Sequence, residues 1–440
     1  MPIKLKQVII ENVKNVEYGE ILFKEKEKFL NVVGIYGQNG SGKTTLVDVL
    51  EIIRKLILND SLNELDSGML NASDATITIT IEDVDNRIIR YILVLRKVVK
   101  ENQEVIQVQK EEIQTRILEK YKPTKTVAIF NRDSDELVSF NINEAPASKD
   151  ALNVILDVIT ENKSSFLFSS SFIKLISEKE KLNELLESIN ILKAFSDNLR
   201  IYTSEYAGLI SANIFAPVGV HFKMGDANIH GILPFRLRGP ESYVPKRMLT
   251  TYENVIRQMN IILPEIIPGL SLSMIQKDTR VNQKGEEEVQ LGFLSNRGEK
   301  RFSLVYESDG IKKIIGLVSY LIEVYNNPSI IAVIDELDSG VYEYLLGEII
   351  SVMSTGAKGQ LIFTSHNLRV LEVLETNKII ASTSNPMNRY IKLRHVKESN
   401  NLRDLYLRTI QLGGQKEELY QGKSSADLRI AFMKAGKMVD

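Results

Sequence analysis

The chain contains no cysteine. Disulfides, thiolate-bound zinc and cysteine nucleophiles are therefore excluded, a pattern that fits a reducing cytoplasm. Histidine is scarce. His221, His230, His366 and His395 are the four present, too few for a histidine-rich metal centre. Neither sign of charge dominates: 55 Lys and Arg stand against 57 Asp and Glu, a net of −2. A globally basic nucleic-acid binder is thus disfavoured, while a local basic face remains open. No apolar run reaches the roughly 18 residues of a membrane span. The longest, Ile314 to Ile322, is broken by Gly316 and Ser319 and followed by Glu323. The opening Met1-Pro2-Ile3-Lys4-Leu5-Lys6 lacks the apolar core of a signal peptide, so a cytoplasmic setting without membrane contact is expected. Repeats and low-complexity linkers are also missing.

What is present is ordinary for a folded chain. Hydrophobic residues make up 43% and charged residues 25% of 440 positions, enough for two to three domains or one large core with an insertion. Val8-Ile9-Ile10, Ile21-Leu22-Phe23 and Phe29 to Tyr36 read as strands. The third runs into a glycine-rich loop. Leu46, Val49, Leu50, Ile53, Leu56 and Ile57 then share one helical face. Residues 75–140 look β-rich, with Lys100 to Lys122 as an exposed strand-turn or a short helix. Residues 150–200 switch to a helical period. Residues 214–248 look like irregular loops, 250–265 a helix, and 270–305 strands again. An apolar helix over 311–326 precedes a β-branched run, Ile330 to Ile334, typical of a buried parallel strand. Leu361 to Thr364 is a second such strand. These patterns suggest an N-terminal lobe (1–149), a mainly helical or irregular insertion (150–300), a C-terminal lobe (301–388) and a basic helical segment (389–440).

Gly37-Gln38-Asn39-Gly40-Ser41-Gly42-Lys43-Thr44 fits G-x-x-x-x-G-K-[ST] between a strand and a helix. Glycines let the backbone wrap a phosphate so that successive N–H groups point at it, and the helix start adds its dipole. Lys43 would bridge the β- and γ-phosphates of a nucleotide, and the Thr44 hydroxyl would hold Mg2+. Ile330 to Ile334 delivers Asp335 and Glu336 to the end of a buried strand. Asp335 would hold the metal and Glu336 would polarise an attacking water. Alone, such a pair could equally be a helix cap or an ion pair. Leu337-Asp338-Ser339-Gly340 follows directly. His366 ends a second buried strand 30 residues past Glu336, where it could contact the γ-phosphate. Upstream, Ser308 and Gly310 would form an anion-binding helix start, or Ser308 simply caps that helix.

These five pieces, in this order, resemble the ABC-type ATPase head of the SMC/RecF/OLD class. The correspondence runs from Walker A at 37–44 through a Ser-x-Gly signature at 308–310, Walker B at 330–336 and a D-loop at 337–340 to a switch histidine at 366. The Glu307-Ser308-Asp309-Gly310 form, the Glu11-Asn12-Val13-Lys14-Asn15 opening and the Asn401 to Tyr406 stretch look like the compact abortive-infection ATPases of anti-phage operons. The resemblance implies an α/β P-loop head with a β-rich N-terminal lobe and a helical insertion. It implies ATP and Mg2+ as cofactors. It implies nucleotide contacts from Gly37, Asn39, Gly40, Ser41, Gly42, Lys43, Thr44 and Thr45, and from Asp338. Thr44 and Asp335 would hold the metal, and Glu336, His366 and Lys43 would be the catalytic residues. Two heads would sandwich two ATPs, with Ser308 and Gly310 acting in trans, so a homodimer or an assembly of dimers is expected. A Q-loop glutamine is implied as well, with Gln107, Gln109 and Gln114 all available.

Length narrows the choice. Between Thr44 and Ser308 lie 263 residues without sustained heptads, so no long coiled-coil arm is present. Only 74 residues follow His366, too few for a Toprim nuclease; any nuclease effector, Toprim or other, would be a separate chain. No Asn/Thr-Lys-x-Asp guanine motif is present. Residues 389–440 carry 11 Lys and Arg against 6 Asp and Glu, a net of +5 that leaves −7 elsewhere. That segment could meet DNA or an acidic protein, or be a solvated helical hairpin. Phe235-Arg236-Leu237-Arg238 with Tyr243, Lys246 and Arg247 is a second basic stretch whose rings could stack on bases. Two functions are therefore expected to compete: an ATP-driven sensor or scaffold of anti-phage defence with a separate effector, and a RecF-like DNA-repair ATPase acting on DNA directly.

Overall fold

The computed structural model describes residues 2–100, 102–117, 124–133, 136–141, 149–224, 227–237, 243–393, 402–412, 415–420 and 424–436. The chain opens with β1 (Lys4–Val13), β2 (Val16–Leu22), the short β3 (Lys24–Glu25) and β4 (Lys28–Phe29), β5 (Val32–Tyr36) and α1 (Lys43–Ile57). Five strands follow: β6 (Asp74–Glu82), β7 (Arg87–Lys100), β8 (Gln103–Ile117), β9 (Lys125–Asp133) and β10 (Glu136–Asn141). Then come α2 (Lys149–Asn162), α3 (Ser170–Ser177), α4 (Asn183–Asp197), β11 (Leu199–Tyr202) and α5 (Ser204–Ser211). The middle of the chain holds β12 (Phe215–Met224), β13 (Ala227–Arg236), β14 (Tyr243–Pro245), α6 (Leu249–Ile266), β15 (Leu270–Val281), β16 (Glu287–Arg297) and β17 (Lys300–Ser303). Last are α7 (Asp309–Asn326), β18 (Ile331–Ile334), α8 (Glu343–Gly356), β19 (Gln360–Ser365), α9 (Val370–Val373), β20 (Ile379–Ser382), β21 (Tyr390–Lys392), α10 (Leu402–Leu412) and α11 (Ser425–Gly436).

A six-stranded sheet, ordered β11-β18-β19-β5-β20-β21, lies at the centre and is parallel except for its last pair. Every residue of β5, β18 and β19 is buried, as a parallel sheet covered on both faces requires. Strand alternation assigns the faces. Val33, Ile35, Ile331, Val333 and Ile362 join the core formed with α1 and the antiparallel sheet. Val32, Ala332, Ile334, Leu361 and Phe363 join a second core with α7, α8, α9 and α10. A seven-stranded antiparallel sheet, β10-β9-β8-β7-β6-β1-β2, covers the first face, with α2, α3 and α4 sharing its core. A third core forms where α6 and the start of α7 meet β12, β13, β15 and β16.

Three expectations are corrected. Residues 103–117 are neither an exposed strand-turn nor a short helix but a full strand between β7 and β9. Their polar composition misleads because Gln107, Gln109, Glu111, Glu112 and Thr115 are buried. The Glu111 carboxylate accepts from the Tyr91 hydroxyl at 2.6 Å, the Ser165 hydroxyl at 2.5 Å and the backbone N–H of Phe166 and Leu167 at 2.7 and 3.3 Å. Residues 214–248 are not irregular: β12 and β13 form a hairpin in which Pro217 faces Pro234. A two-stranded ribbon has two free edges, so prolines that would break a central strand are tolerated. Residues 150–300 hold more strand than expected beside their helices. Five strands fall between 215 and 297, and β11 lies in the central sheet, where its Tyr202 carbonyl accepts from Asp335 N–H at 2.8 Å. The absence of a long coiled coil holds, since the longest helices among the described residues, α6 and α7, have 18 residues.

Burial pushes the Glu111 carboxyl up against the pull of its four donors. Glu111→Ala would leave those donors buried without an acceptor. It is expected to destabilise the fold by about 3 kcal/mol, read as a lowered melting temperature. An unchanged melting temperature would contradict this account of β8.

Candidate functional site

The central sheet brings three loops to the carboxyl ends of β5, β18 and β19, where open α/β sheets bind ligands. After β5 the chain turns at Gly37, where a Cβ would stand 2.0 Å from the Ser382 hydroxyl. That hydroxyl lies 2.5 Å from the Ser41 hydroxyl, so β20 props the loop from below. Gly40 and Gly42 have φ of 77° and 86°, conformations that favour glycine. Gly42 caps α1 with no side-chain hydrogen bond, and the first turn holds no acidic residue. The N–H groups of that turn are therefore available to an anion, backed by the dipole of a 15-residue helix.

The surroundings fix the loop. Asn15 donates to the Gly40 carbonyl and accepts from the Thr45 hydroxyl at 3.3 Å. Lys14 reaches Asp48 of α1 at 2.5 Å, so Lys14 and Asn15 tie the opening segment to the loop at one point and to α1 at two. Tyr390 donates to the Gly42 carbonyl at 2.6 Å. Arg389 holds the Asn15 carbonyl and, at 2.6 Å, that of Thr383. Lys43 is buried, its ammonium donating to the carbonyls of Gly37 and Gln38 at 2.7 and 2.9 Å. Burial lowers its pKa, and Asp338, Asp335 and Glu336 oppose that shift.

Asp335 follows β18 and is 1% exposed. Its Oδ1 accepts from the Thr364 hydroxyl at 2.6 Å and lies 3.4 Å from that of Thr44. Its Oδ2 is buried with no hydrogen-bond partner among the described residues. The Thr364 hydroxyl also accepts from Glu336 N–H at 2.7 Å. One hydroxyl at the end of β19 thus sets both acidic residues. Sequence reading placed Thr364 only as a strand residue. The available signal was a hydroxyl amid an apolar run, Leu361-Ile362-Phe363-Thr364, at the loop end of a strand.

Asp338 and His366 form a pair. The Asp338 Oδ2 accepts from the His366 backbone N–H at 3.0 Å and lies 3.1 Å from Nδ1. The Asp338 side chain is 1% exposed and the imidazole 61%. An Nδ1–H turned to Asp338 leaves Nε2 on the open side. Asp338, expected among the nucleotide contacts, has His366 as its observed partner. Ser308 is exposed and caps α7 through Ile311 N–H at 3.4 Å. A Cβ on Gly310 would stand 1.9 Å from the Gly340 carbonyl, so the start of α7 packs backbone to backbone on the loop after Asp338. Among the described residues, Ser308 makes no hydrogen bond to residues 37–44. Asn39 lies at the exposed tip of the loop.

The donor set suits a hard divalent cation such as Mg2+. A buried carboxylate oxygen without a partner and an adjacent threonine hydroxyl are oxygen ligands, and Mg2+ commonly takes one or two protein ligands with phosphate oxygens and waters. No group of three or more His, Cys, Asp or Glu among the described residues could hold a metal by itself. The candidate glutamines lie on β8, with Gln107 and Gln109 against Arg132 and Gln114 bonded to Glu112. The basic stretches change meaning. Phe235 is buried, stacked on Phe293 at 4.2 Å, and cannot stack on bases. Tyr243 is covered by the Arg280 guanidinium at 3.7 Å, and Lys246 pairs with Glu287. Arg238 lies outside the described residues.

The family model described as "AAA domain, putative AbiEii toxin, Type IV TA system" matches residues 32–372. The match spans both strand ends that carry the acidic pair and the glycine loop, and the chain belongs to this family. No curated protein matches it. Among solved structures it is similar to an Smc head bound to the C-winged helix domain of ScpA, at 12% identity and a TM-score of 0.46, over 88% of this chain and 97% of that one. It is also similar to the SMC head domain from Thermotoga maritima, at 14% identity and a TM-score of 0.38, over 89% and 99%. A third is the recombination mediator RecF with ATPrS, at 15% identity and a TM-score of 0.35, over 89% and 98%.

Thr364→Val keeps the volume but removes the hydroxyl that bonds Asp335 and Glu336. ATP turnover is expected to fall roughly 10- to 100-fold while ATP binding persists. Turnover at the wild-type rate would remove Thr364 from the site.

Proposed function

We propose that the chain is an ATPase of the ABC head type, hydrolysing ATP to ADP and phosphate. The observation that carries this reading is the meeting of Thr44 with Asp335, and of Asp335 and Glu336 at the Thr364 hydroxyl, beside the glycine loop whose carbonyls hold Lys43. The glycine loop and the first turn of α1 bind the phosphates through backbone N–H groups. Gly37, Asn39, Gly40, Ser41 and Gly42 shape that cradle, and Thr45 fixes it to Asn15. Lys43 leaves its loop carbonyls for the β- and γ-phosphates. Thr44 and Asp335 would hold Mg2+, which would supply positive charge against the phosphates. Glu336 orients and deprotonates the attacking water. His366, oriented by Asp338, presents Nε2 to the γ-phosphate.

The site is completed by a second copy. Ser308 and Gly310 stand at an exposed helix start remote in hydrogen bonding from the chain's own loop, as a contact made in trans requires. Closure of two heads on ATP and opening on hydrolysis is the cycle. We place that cycle in bacterial anti-phage defence, with a separate effector, a nuclease of Toprim or another type, under its control. The family's description, with its abortive-infection and toxin–antitoxin terms, supports this setting. The rival, a RecF-like ATPase acting on DNA, needs an accessible basic face. Arg389 is buried against backbone carbonyls and Arg403 pairs with Glu372, which weakens that surface.

Glu336→Gln is expected to retain ATP and lower turnover about a hundredfold or more, as removal of a general base does. It should also trap a dimer, visible as doubled mass by light scattering with ATP. Lys43→Ala should lose nucleotide binding. Wild-type turnover by Glu336→Gln would refute the assignment of the base, and turnover rising with duplex DNA would favour the rival.

A further inference from the structure

The geometry points to Lys313 as a positioning residue for Glu336, a buried ammonium on α7 that sets the turn on which the general base stands. The inference rests on the reading of Glu336 as that base. Glu336 has φ 47°, a left-handed conformation that is costly for a residue with a side chain and persists only when its surroundings impose it. The turn is closed by Ser339 N–H donating to the Glu336 carbonyl at 3.0 Å. Lys313 donates to that same carbonyl and, at 3.0 Å, to the carbonyl of Ser339. A single ammonium therefore grips both ends of the strained turn.

The side chain is 4% exposed, and burying an ammonium is unfavourable unless its donors are satisfied. Its direct acceptors are backbone carbonyls, while Asp338, Glu336 and Asp335 act on it through space. Burial lowers its pKa to about 8 against those three carboxylates. The neighbouring Lys312 shows what a lysine serving its own helix looks like. It is equally buried and bonds to Asn213 and Asp309, away from the acidic turn.

Position adds a second consequence. Lys313 lies one helical turn beyond Gly310, which packs on Gly340. The start of α7 is thus tied to the turn after β18 at two points, one steric and one charged. Because Ser308 and Gly310 occupy the end of the same helix, a displacement of α7 caused by a second copy's nucleotide would be transmitted through Lys313 to the Glu336 backbone. A nucleotide bound in one copy and the base in the other are coupled by a rigid strut rather than by diffusion of a signal through loops.

The test compares Lys313→Met, Lys313→Gln and Lys313→Arg with Glu336→Gln in the full-length chain. Turnover is measured over a range of ATP, and affinity with a fluorescent ATP analogue. Met and Gln are expected to lower kcat roughly tenfold or more with KM and Kd within about twofold, and Arg is expected to recover most of kcat. If Met fails to fold, as judged by circular dichroism, Gln against Arg decides, since both keep a donor and only Arg keeps the charge. The inference is overturned if Met or Gln retains kcat within about twofold, or if kcat and affinity fall together. Normal turnover by Glu336→Gln would instead overturn the reading of the base.

Discussion

Three carboxylates, Asp335, Glu336 and Asp338, lie within four residues at the end of a fully buried strand. Asp335 and Asp338 are buried while Glu336 is exposed, and charges so close repel one another, a constraint that the structure around them answers. Lys43, at the end of the glycine loop, and Lys313, on α7, both feel the charge of these carboxylates. Thr364 bonds Asp335, and His366 covers Asp338. One Asp335 oxygen has no hydrogen-bond partner among the described residues, a position that suits an added cation. The parallel sheet is what makes this possible. Strand order β18-β19-β5 places Thr364 between the acidic turn and the glycine loop, so each element contributes its polar group at one edge.

Much of this was legible in the sequence. The glycine loop announces itself through residue types whose backbone freedom the phosphate cradle needs, and β5 and α1 through an apolar run and a helical stripe. β18 and β19 were legible because strands buried on both faces read as unbroken apolar runs. Lys313 was not, because a lysine in an apolar helix reads as a solvated residue until its neighbours are known. Thr364 was hidden for the same reason in a strand. β8 failed for the converse reason: Gln107, Gln109, Glu111 and Glu112 are polar yet buried, and only the fold supplies their partners. The β12–β13 hairpin was masked by its own Gly and Pro residues, which an isolated ribbon accommodates.

The two halves of the site differ in kind. The loop, Lys43, Thr44 and the acidic pair form a complete cluster within one chain. Ser308 does not join it and is exposed at the start of α7, while Gly310 packs on Gly340 of the turn after Asp338. In the proposed reading, that arrangement would separate recognition of a second nucleotide from chemistry on the first, with α7 joining the two.

The claim that the site is shared between two copies is tested most directly by mixing two inactive chains, Lys43→Ala and Ser308→Arg, and measuring ATP turnover. In the mixed dimer one site has an intact loop from the Ser308→Arg chain and an intact helix start from the Lys43→Ala chain. Random pairing should therefore restore about a quarter of the wild-type turnover. If the mixture stays as inactive as its components, or if Ser308→Arg is fully active by itself, the account of a shared site is wrong.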